Sequence, residues 1–253
     1  MELGLSGKNI LITGSSRGIG FGLAQAFLDE GANVMINARN DIDSLSFKLQ
    51  NKDQLFIVQA DVSTSDGVRT IAKKVSDVFH NKLDVIVCNV GSGKSVPPGS
   101  EHSEDWKKSF EINFFSTTNT IEGLRNLVTP KTGSILCISS ICGLEALGAP
   151  LTYSAAKAAL NSYVVGLSRV VGKDGIRVNA IAPGNILFKG STWEQKLKEN
   201  EKLVLDMLER EVALRTLGGV EDVSSMGLFL SSEKAKFVTG TIVVVDGGQV
   251  RGW

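Results

Sequence analysis

The pattern of this chain predicts a doubly wound α/β protein in which one parallel sheet of seven strands carries helices on both faces. Three observations predict it. Seven short runs, beginning at residues 9–13 and closing with residues 241–245, are apolar without polar alternation, as expected of parallel strands covered on both sides. Stretches with helical periodicity lie between them on short connections, the alternation that builds a parallel sheet. The 253 residues include 42% hydrophobic side chains and only five prolines, enough apolar material for one large core and no tract of disordered composition. We therefore expect one domain over residues 1–253, without internal repeats, low-complexity segments or linkers.

Residues 9–13 form the first strand and run straight into Gly14, Ser15, Ser16, Arg17, Gly18, Ile19 and Gly20; Ile19, Leu23, Ala26 and Phe27 then mark one face of a helix that ends near Gly31. Gly14 permits a tight turn, Gly18 lets backbone approach a pyrophosphate, and Gly20 lets the helix pack on the strand. The helix N-terminus adds free N–H groups and a positive dipole end. A dinucleotide fits such a turn, which makes the predicted fold Rossmann-like; a purely structural turn is the alternative for the three glycines taken alone. Residues 33–37 are the second strand, followed by Ala38 and Arg39. A carboxylate at that strand end would accept from an adenosine 2′-hydroxyl, whereas a guanidinium meets a 2′-phosphate. Arg39, with Arg17 as a second cation in the glycine turn, points to NADP(H); the alternative is that both arginines are solvated surface side chains.

Residues 55–59 are the third strand, leading to Asp61 and Val62, and residues 66–80 read as an amphipathic helix. The fourth strand, 84–88, ends in Asn89, Val90 and Gly91, and ligand groups gather at the carboxyl ends of such strands. A helix over 106–125 carries Asn113 in its middle, where a capping or helix–helix hydrogen bond is the plain explanation for an amide. Strand five is 133–139, a helix covers 154–171, and strand six, 176–182, is closed by Pro183 and Gly184. A charge-rich helix over 191–214 sits in an insertion at about 186–214 that we expect to cover the site as a lid. Strand seven precedes Asp246, Gly247 and Gly248.

Charge and cysteine usage exclude several classes. Lys plus Arg and Asp plus Glu both number 27, so no basic excess argues for nucleic acid. Cys88, Cys137 and Cys142 are odd in number and lack a zinc spacing, and His80 and His102 are far apart, so we expect free thiols in a reducing compartment and no metal. The first residues show no charged-then-apolar signal, and no apolar run reaches the roughly 18 residues of a membrane span. A cytoplasmic protein with a small-molecule partner, and no membrane partner, is the expectation.

The chemistry concentrates between Ser139 and Lys157. Tyr153 and Lys157, four residues apart, share one helix face, which sets an ammonium beside a phenol. A free phenol has a pKa of about 10, and a neighbouring cation favours the phenolate, which suits acid–base work near neutrality. Ser140, thirteen residues before Tyr153 at the end of the fifth strand, can return its hydroxyl to the same point through the intervening loop. The three would form a site without a metal. A Tyr–Lys pair at this spacing is common on helices, and its meaning rests on the surroundings.

Taken in order, the glycine turn, Asp61 and Val62, Asn89 and Gly91, Asn113, Ser140, Tyr153 and Lys157, Pro183 and Gly184, and Val245 to Gly248 resemble the short-chain dehydrogenase/reductase family over nearly the whole chain. The short length resembles its single-domain branch, and the generic likeness is to 3-oxoacyl-carrier-protein reductases. The resemblance implies that Tyr153 is the acid–base residue and that Lys157 holds the nicotinamide ribose and lowers the tyrosine pKa. It further implies that Ser140 hydrogen-bonds the substrate oxygen and that Asn113 holds a water in the proton path. Cofactor contacts would come from Gly14, Ser16, Arg17, Gly18, Ile19, Gly20, Arg39, Asp61, Val62, Asn89, Gly91, Tyr153, Lys157, Pro183, Gly184 and Ile186. The implied activity is an NADP-dependent oxidoreductase that moves a hydride between nicotinamide and a carbonyl or secondary alcohol, in the reducing direction, on a 3-oxoacyl thioester. A specialised reductase of a sugar or other polar carbonyl compound is the alternative, and a cofactor-binding regulator without turnover is a third reading. Assembly as a homotetramer, through the helices carrying Asn113 and Tyr153, is implied by the same analogy. Two departures stand out: Val90 replaces the family's small residue after Asn89, and the loop from Asn185 to Trp193 puts apolar and cationic residues where many relatives carry, after the Pro–Gly pair, a Thr that meets the nicotinamide amide.

Overall fold

The structure, a computed structural model, describes residues 2–40, 49 and 52–252. Seven strands form one sheet: β1 Asn9–Ile12, β2 Asn33–Ala38, β3 Leu55–Gln59, β4 Val85–Cys88, β5 Ser134–Ile138, β6 Arg177–Pro183 and β7 Ile242–Val245. Their order is β3-β2-β1-β4-β5-β6-β7, and all neighbours pair in parallel. The order reverses between β1 and β4, and an open parallel sheet binds its ligand outside the carboxyl ends at such a reversal.

The longer helices are α1 Gly18–Asp29, α2 Ser65–Phe79, α3 Ser103–Phe110, α4 Ser116–Leu124, α5 Leu151–Val171, α6 Thr192–Glu211 and α7 Val220–Ser231. Successive strand residues feed opposite faces. Ile10 and Ile12 of β1 join Leu23 and Phe27 of α1 and Val223 and Leu230 of α7 in one apolar layer. Leu11 joins the other, with Ile71 and Val75 of α2, Ile121 of α4 and Leu160 and Val164 of α5. The continuous apolar runs of the sequence therefore reflect a sheet buried on both sides.

Three elements differ from the sequence reading. The stretch predicted as one helix over 106–125 is broken by a wide turn at Glu111–Phe115, which separates α3 from α4 and contains Asn113. Such π-type turns interrupt α-helices where a side chain has a task the regular ladder would misdirect. The predicted helix over 191–214 is α6, and it changes direction at Asn200, whose φ is −160° and whose side-chain oxygen accepts from the Leu203 amide at 3.1 Å, starting a second helical segment. Helix α7 has no counterpart in the sequence reading: two of its serines and a glycine dilute the apolar period, while Asp222 accepts from the Gly219 amide at 2.7 Å and caps its start. No described helix is long and apolar enough to cross a membrane.

Candidate active site

The glycine turn forms the first wall. Gly14 and Gly18 have φ of 63° and 56°, values that side chains rarely adopt. A Cβ at Gly20 would lie 2.4 Å from the Asn89 side-chain nitrogen and 2.6 Å from the Gly14 carbonyl, so this position admits only glycine and lets α1 seat against the turn. Asn89 in turn donates its side-chain N–H groups to the carbonyls of Thr13 at 3.2 Å and Gly14 at 2.8 Å, and its backbone amide donates to the Thr13 hydroxyl at 3.1 Å. Its side chain thus stitches the end of β4 to the turn. At the start of α1 no side chain caps the free N–H groups, and no acidic residue stands in the first turn. That leaves a positive helix end for an anion.

These features border a cleft of about 790 Å³ at the carboxyl ends of the strands, lined on one side by Ser16, Arg17 and Ile19 and at the far end of β2 by Arg39 and Asp61. A cleft of this size suits a ligand of dinucleotide scale. Arg39 and Asp61 approach to 3.7 Å. Burial would raise the Asp61 carboxyl, but hydrogen bonds from the hydroxyl and amide of Ser63, with Arg39 beside it, hold it below its ordinary value. Arg17 and Arg39 are both exposed at the mouth, placed to meet a phosphate. The positive helix end, the crowded glycine turn and the two guanidinium groups together fit a phosphorylated dinucleotide.

Across the cleft stand Ser140, Tyr153 and Lys157, all lining it. Ser140 follows β5 and accepts from the Cys142 amide at 3.1 Å, which turns the loop. Tyr153 lies in the first turn of α5, whose chain enters from Pro150. Tyr153 is half-buried at the cleft wall; burial pushes the phenol up to about 12, an interaction with the Ser140 hydroxyl offsets this in part, and Cys142 adds to the rise. Lys157 is 3% exposed and donates to the Ile138 carbonyl at 2.8 Å. Burial pulls its ammonium down to about 8, against a smaller upward push from Cys137 and Cys88. The sequence-based expectation that Lys157 lowers the phenol pKa is not met here. The ammonium is directed to the end of β5 and stands 5.9 Å from the Tyr153 ring centre, so desolvation dominates at the phenol.

Asn113 is buried and does not line the cleft. Its side-chain oxygen accepts from the Ser92 amide at 2.8 Å, and its nitrogen donates to the carbonyls of Ser92 at 3.1 Å and Ser109 at 3.0 Å. The wide turn thus aims Asn113 at the backbone beyond β4. A Cβ at Gly91 would sit 3.1 Å from both the Asn113 oxygen and the Lys157 nitrogen, which places the two groups over one glycine. Gly20 likewise acts from behind the wall. The other predicted residues, including Val62, Asn89, Pro183, Gly184 and Ile186, line the cleft.

The segment after Pro183 and Gly184 supplies the far side. Trp193 and Lys196 of α6 line the cleft, with the Lys196 nitrogen 4.4 Å from the Trp193 ring centre. Phe188 packs on the glycine turn: a Cβ at Gly18 would lie 2.7 Å from its ring. Sequence reasoning gave no site role to Phe188, Cys142, Glu211 or Gln249, which also line the cleft. Phe188, Cys142 and Gln249 had a signal, since they lie beside motif residues; Glu211 had none, because only folding brings the end of α6 to the cleft. All three cysteines are free thiols, Cys88 and Cys137 side by side in register on β4 and β5. Among the described residues no cluster of His, Cys, Asp or Glu could hold a metal ion.

A crossover sheet with a glycine turn facing a Ser–Tyr–Lys wall defines a class, and a family model described as Enoyl-(Acyl carrier protein) reductase matches residues 14–249. The chain belongs to the short-chain dehydrogenase/reductase family. Within it, the chain is 31% identical over 255 residues to the 3-oxoacyl-[acyl-carrier-protein] reductase FabG of Chlamydia pneumoniae, spanning 98% of this chain and 99% of the relative. It is also 31% identical over 251 residues to Glucose 1-dehydrogenase 2 of Bacillus subtilis, spanning 96% and 95%. In three dimensions it superposes on L-sorbose reductase from Gluconobacter frateurii, solved with NADPH and L-sorbose, with a TM-score of 0.91, 29% identity and 100% of both chains covered.

Proposed function

We propose that this chain is an NADPH-dependent carbonyl reductase, and the observation that carries the reading is the Ser140–Tyr153–Lys157 wall facing a glycine turn with Arg17 and Arg39 at its mouth. When bound, NADPH would supply the hydride to the carbonyl carbon. The backbone of the glycine turn and the start of α1 would hold the pyrophosphate, and the two arginines the 2′-phosphate. Tyr153, protonated at neutral pH, would donate its proton to the carbonyl oxygen, while Ser140 donates a hydrogen bond to the same oxygen as its charge grows. Lys157, still largely protonated at pH 7, would return a proton toward the phenol, and Asn113 beside it over Gly91 would hold a relay water.

The likeness to both an acyl-carrier-protein reductase and a sorbose reductase supports two substrate classes, 3-oxoacyl thioesters and sugars. We further propose one domain over residues 1–253 with residues 186–214 as its lid, a cytoplasmic location and a homotetramer. The test is cofactor oxidation by the purified protein on oxoacyl thioesters, ketoses and small ketones, with NADPH and NADH in parallel, and with Tyr153→Phe as control. Turnover with NADPH well above NADH, lost by about 10²–10⁴-fold in Tyr153→Phe with cofactor affinity retained, is expected. Preference for NADH would overturn the role of the arginines, and turnover by Tyr153→Phe at the parental rate would overturn the role of the phenol.

A further inference from the structure

Helix α6 carries four cations, Lys196, Lys198, Lys202 and Arg210, and of these only Lys196 lines the cleft. Trp193, three residues earlier on the same helix face, lines it too, and the Lys196 nitrogen stands 4.4 Å from the centre of its ring. The ring steadies the ammonium without neutralising it, so the charge is still free to attract an anion. Lys196 is exposed and borders the cleft, within reach of a ligand there.

The acidic groups around it are engaged elsewhere. Glu194 pairs with Lys198 at 3.2 Å and accepts from the Gly190 amide at 2.7 Å, and Glu199 accepts from the Gln195 side chain at 2.7 Å. Glu211, a carboxylate that lines the same cleft, pairs with Arg210 at 2.8 Å. Among the described residues Lys196 forms no ion pair. The other cations of the cleft have places of their own: Arg17 and Arg39 stand at its mouth, and Lys157 donates to the Ile138 carbonyl at 2.8 Å. The charge of Lys196 is felt next to the reacting groups. Burial raises the Cys142 thiol, two residues after Ser140, while the Ser140 hydroxyl and, from α6, Lys196 draw it down.

Resting on the reading of this cleft as a carbonyl reductase site, we propose that Lys196 is a specificity-determining residue that pairs with an anionic group of the substrate, a carboxylate or a phosphate, carried away from the reacting carbonyl. The substrate class is then an anionic ketone, an oxo acid or a ketose phosphate. A compact ammonium takes either anion as a point charge, and cleft walls of low dielectric strengthen the attraction over that of an open surface. A neutral ketone gains nothing from it.

The test measures kcat/KM with NADPH for two pairs of substrates, 5-oxohexanoate with its neutral isostere 5-oxohexanamide, and D-fructose 6-phosphate with D-fructose, in the parental protein, Lys196→Met and Lys196→Arg. The parental protein should prefer the charged member of one pair, and the pair that responds tells carboxylate from phosphate. Lys196→Met should lower that charged-to-neutral ratio on the order of ten-fold through KM, with NADPH affinity intact, and Lys196→Arg, which keeps the charge, should retain most of it. Added salt should lower the parental ratio in the same direction. An unchanged ratio in Lys196→Met, an equal loss on both members, or parental turnover confined to neutral ketones or oxoacyl thioesters would overturn this inference alone. Failure of the parental protein to reduce any carbonyl with NADPH would overturn the reductase reading and this inference together.

Discussion

Lys157 should destabilise the fold that it serves, and replacing it with methionine measures by how much. Its ammonium, 3% exposed, is pulled from an ordinary value of 10.5 down to about 8 by burial. At about 1.36 kcal/mol per unit, holding it protonated at pH 7 costs the folded state about 3 kcal/mol. Met keeps the length and removes the charge, but it also removes the 2.8 Å hydrogen bond to the Ile138 carbonyl, at a loss of about 1 kcal/mol. Lys157→Met should therefore be more stable than the parental protein at pH 7 by about 2 kcal/mol, or about 5 °C in Tm at this chain length. The sign reverses with pH. Between 8 and 10.5 the unfolded lysine holds a proton that the folded one has lost, so parental stability rises with pH across this window and the advantage of the variant disappears. Tyr153 contributes in the opposite sense, since a phenol raised to about 12 adds stability that is complete below 10 and lost as pH rises through 12, but both proteins share it and it cancels in the comparison. The assay is thermal and urea unfolding by circular dichroism at pH 7 and pH 10. A variant less stable at pH 7, or a stability difference independent of pH, would refute the reasoning.

Two further predictions follow from the same geometry. In Gly20→Ala the new Cβ meets the Asn89 nitrogen at 2.4 Å and the Gly14 carbonyl at 2.6 Å, so the turn and the end of β4 must separate; a loss of about 1–3 kcal/mol in urea unfolding and weaker NADPH binding are expected, and a variant of parental stability would show that the turn yields freely. The rate of carbonyl reduction should be level below pH 8 and fall above it as Lys157 loses its proton, with Tyr153 too high to limit it; a pH–rate profile flat to pH 10 would remove Lys157 from the proton path.

Much of this architecture was legible before folding because its signals are local. Strands covered on both faces must be apolar at every position, and a glycine turn between strand and helix reports its own backbone conformation, so the seven strands, the turn at Gly14–Gly18–Gly20 and the Tyr153–Lys157 face could be read directly. Ser140 was legible because it ends a strand whose neighbours also end at the cleft. The helix over residues 103–124 was readable in outline only, since the wide turn at Asn113 exists to reach Ser92, twenty-one residues earlier in the chain.

What tertiary structure alone decided concerns groups whose partners or surroundings are distant in sequence. The direction of the Tyr153 shift is one case: spacing places a lysine on the same face, but the Ile138 carbonyl, nineteen residues before Lys157, claims the ammonium, and burial sets the direction at the phenol. Gln249 is the other. It follows the Val245–Gly248 motif directly, but its place in the cleft arises only when bonds to Leu214 and Glu145 carry the C-terminal segment back. Periodicity and backbone freedom are properties of neighbouring residues, and a sequence states them; desolvation and hydrogen-bond satisfaction belong to the packed volume around a group, which exists only once the chain has closed on itself.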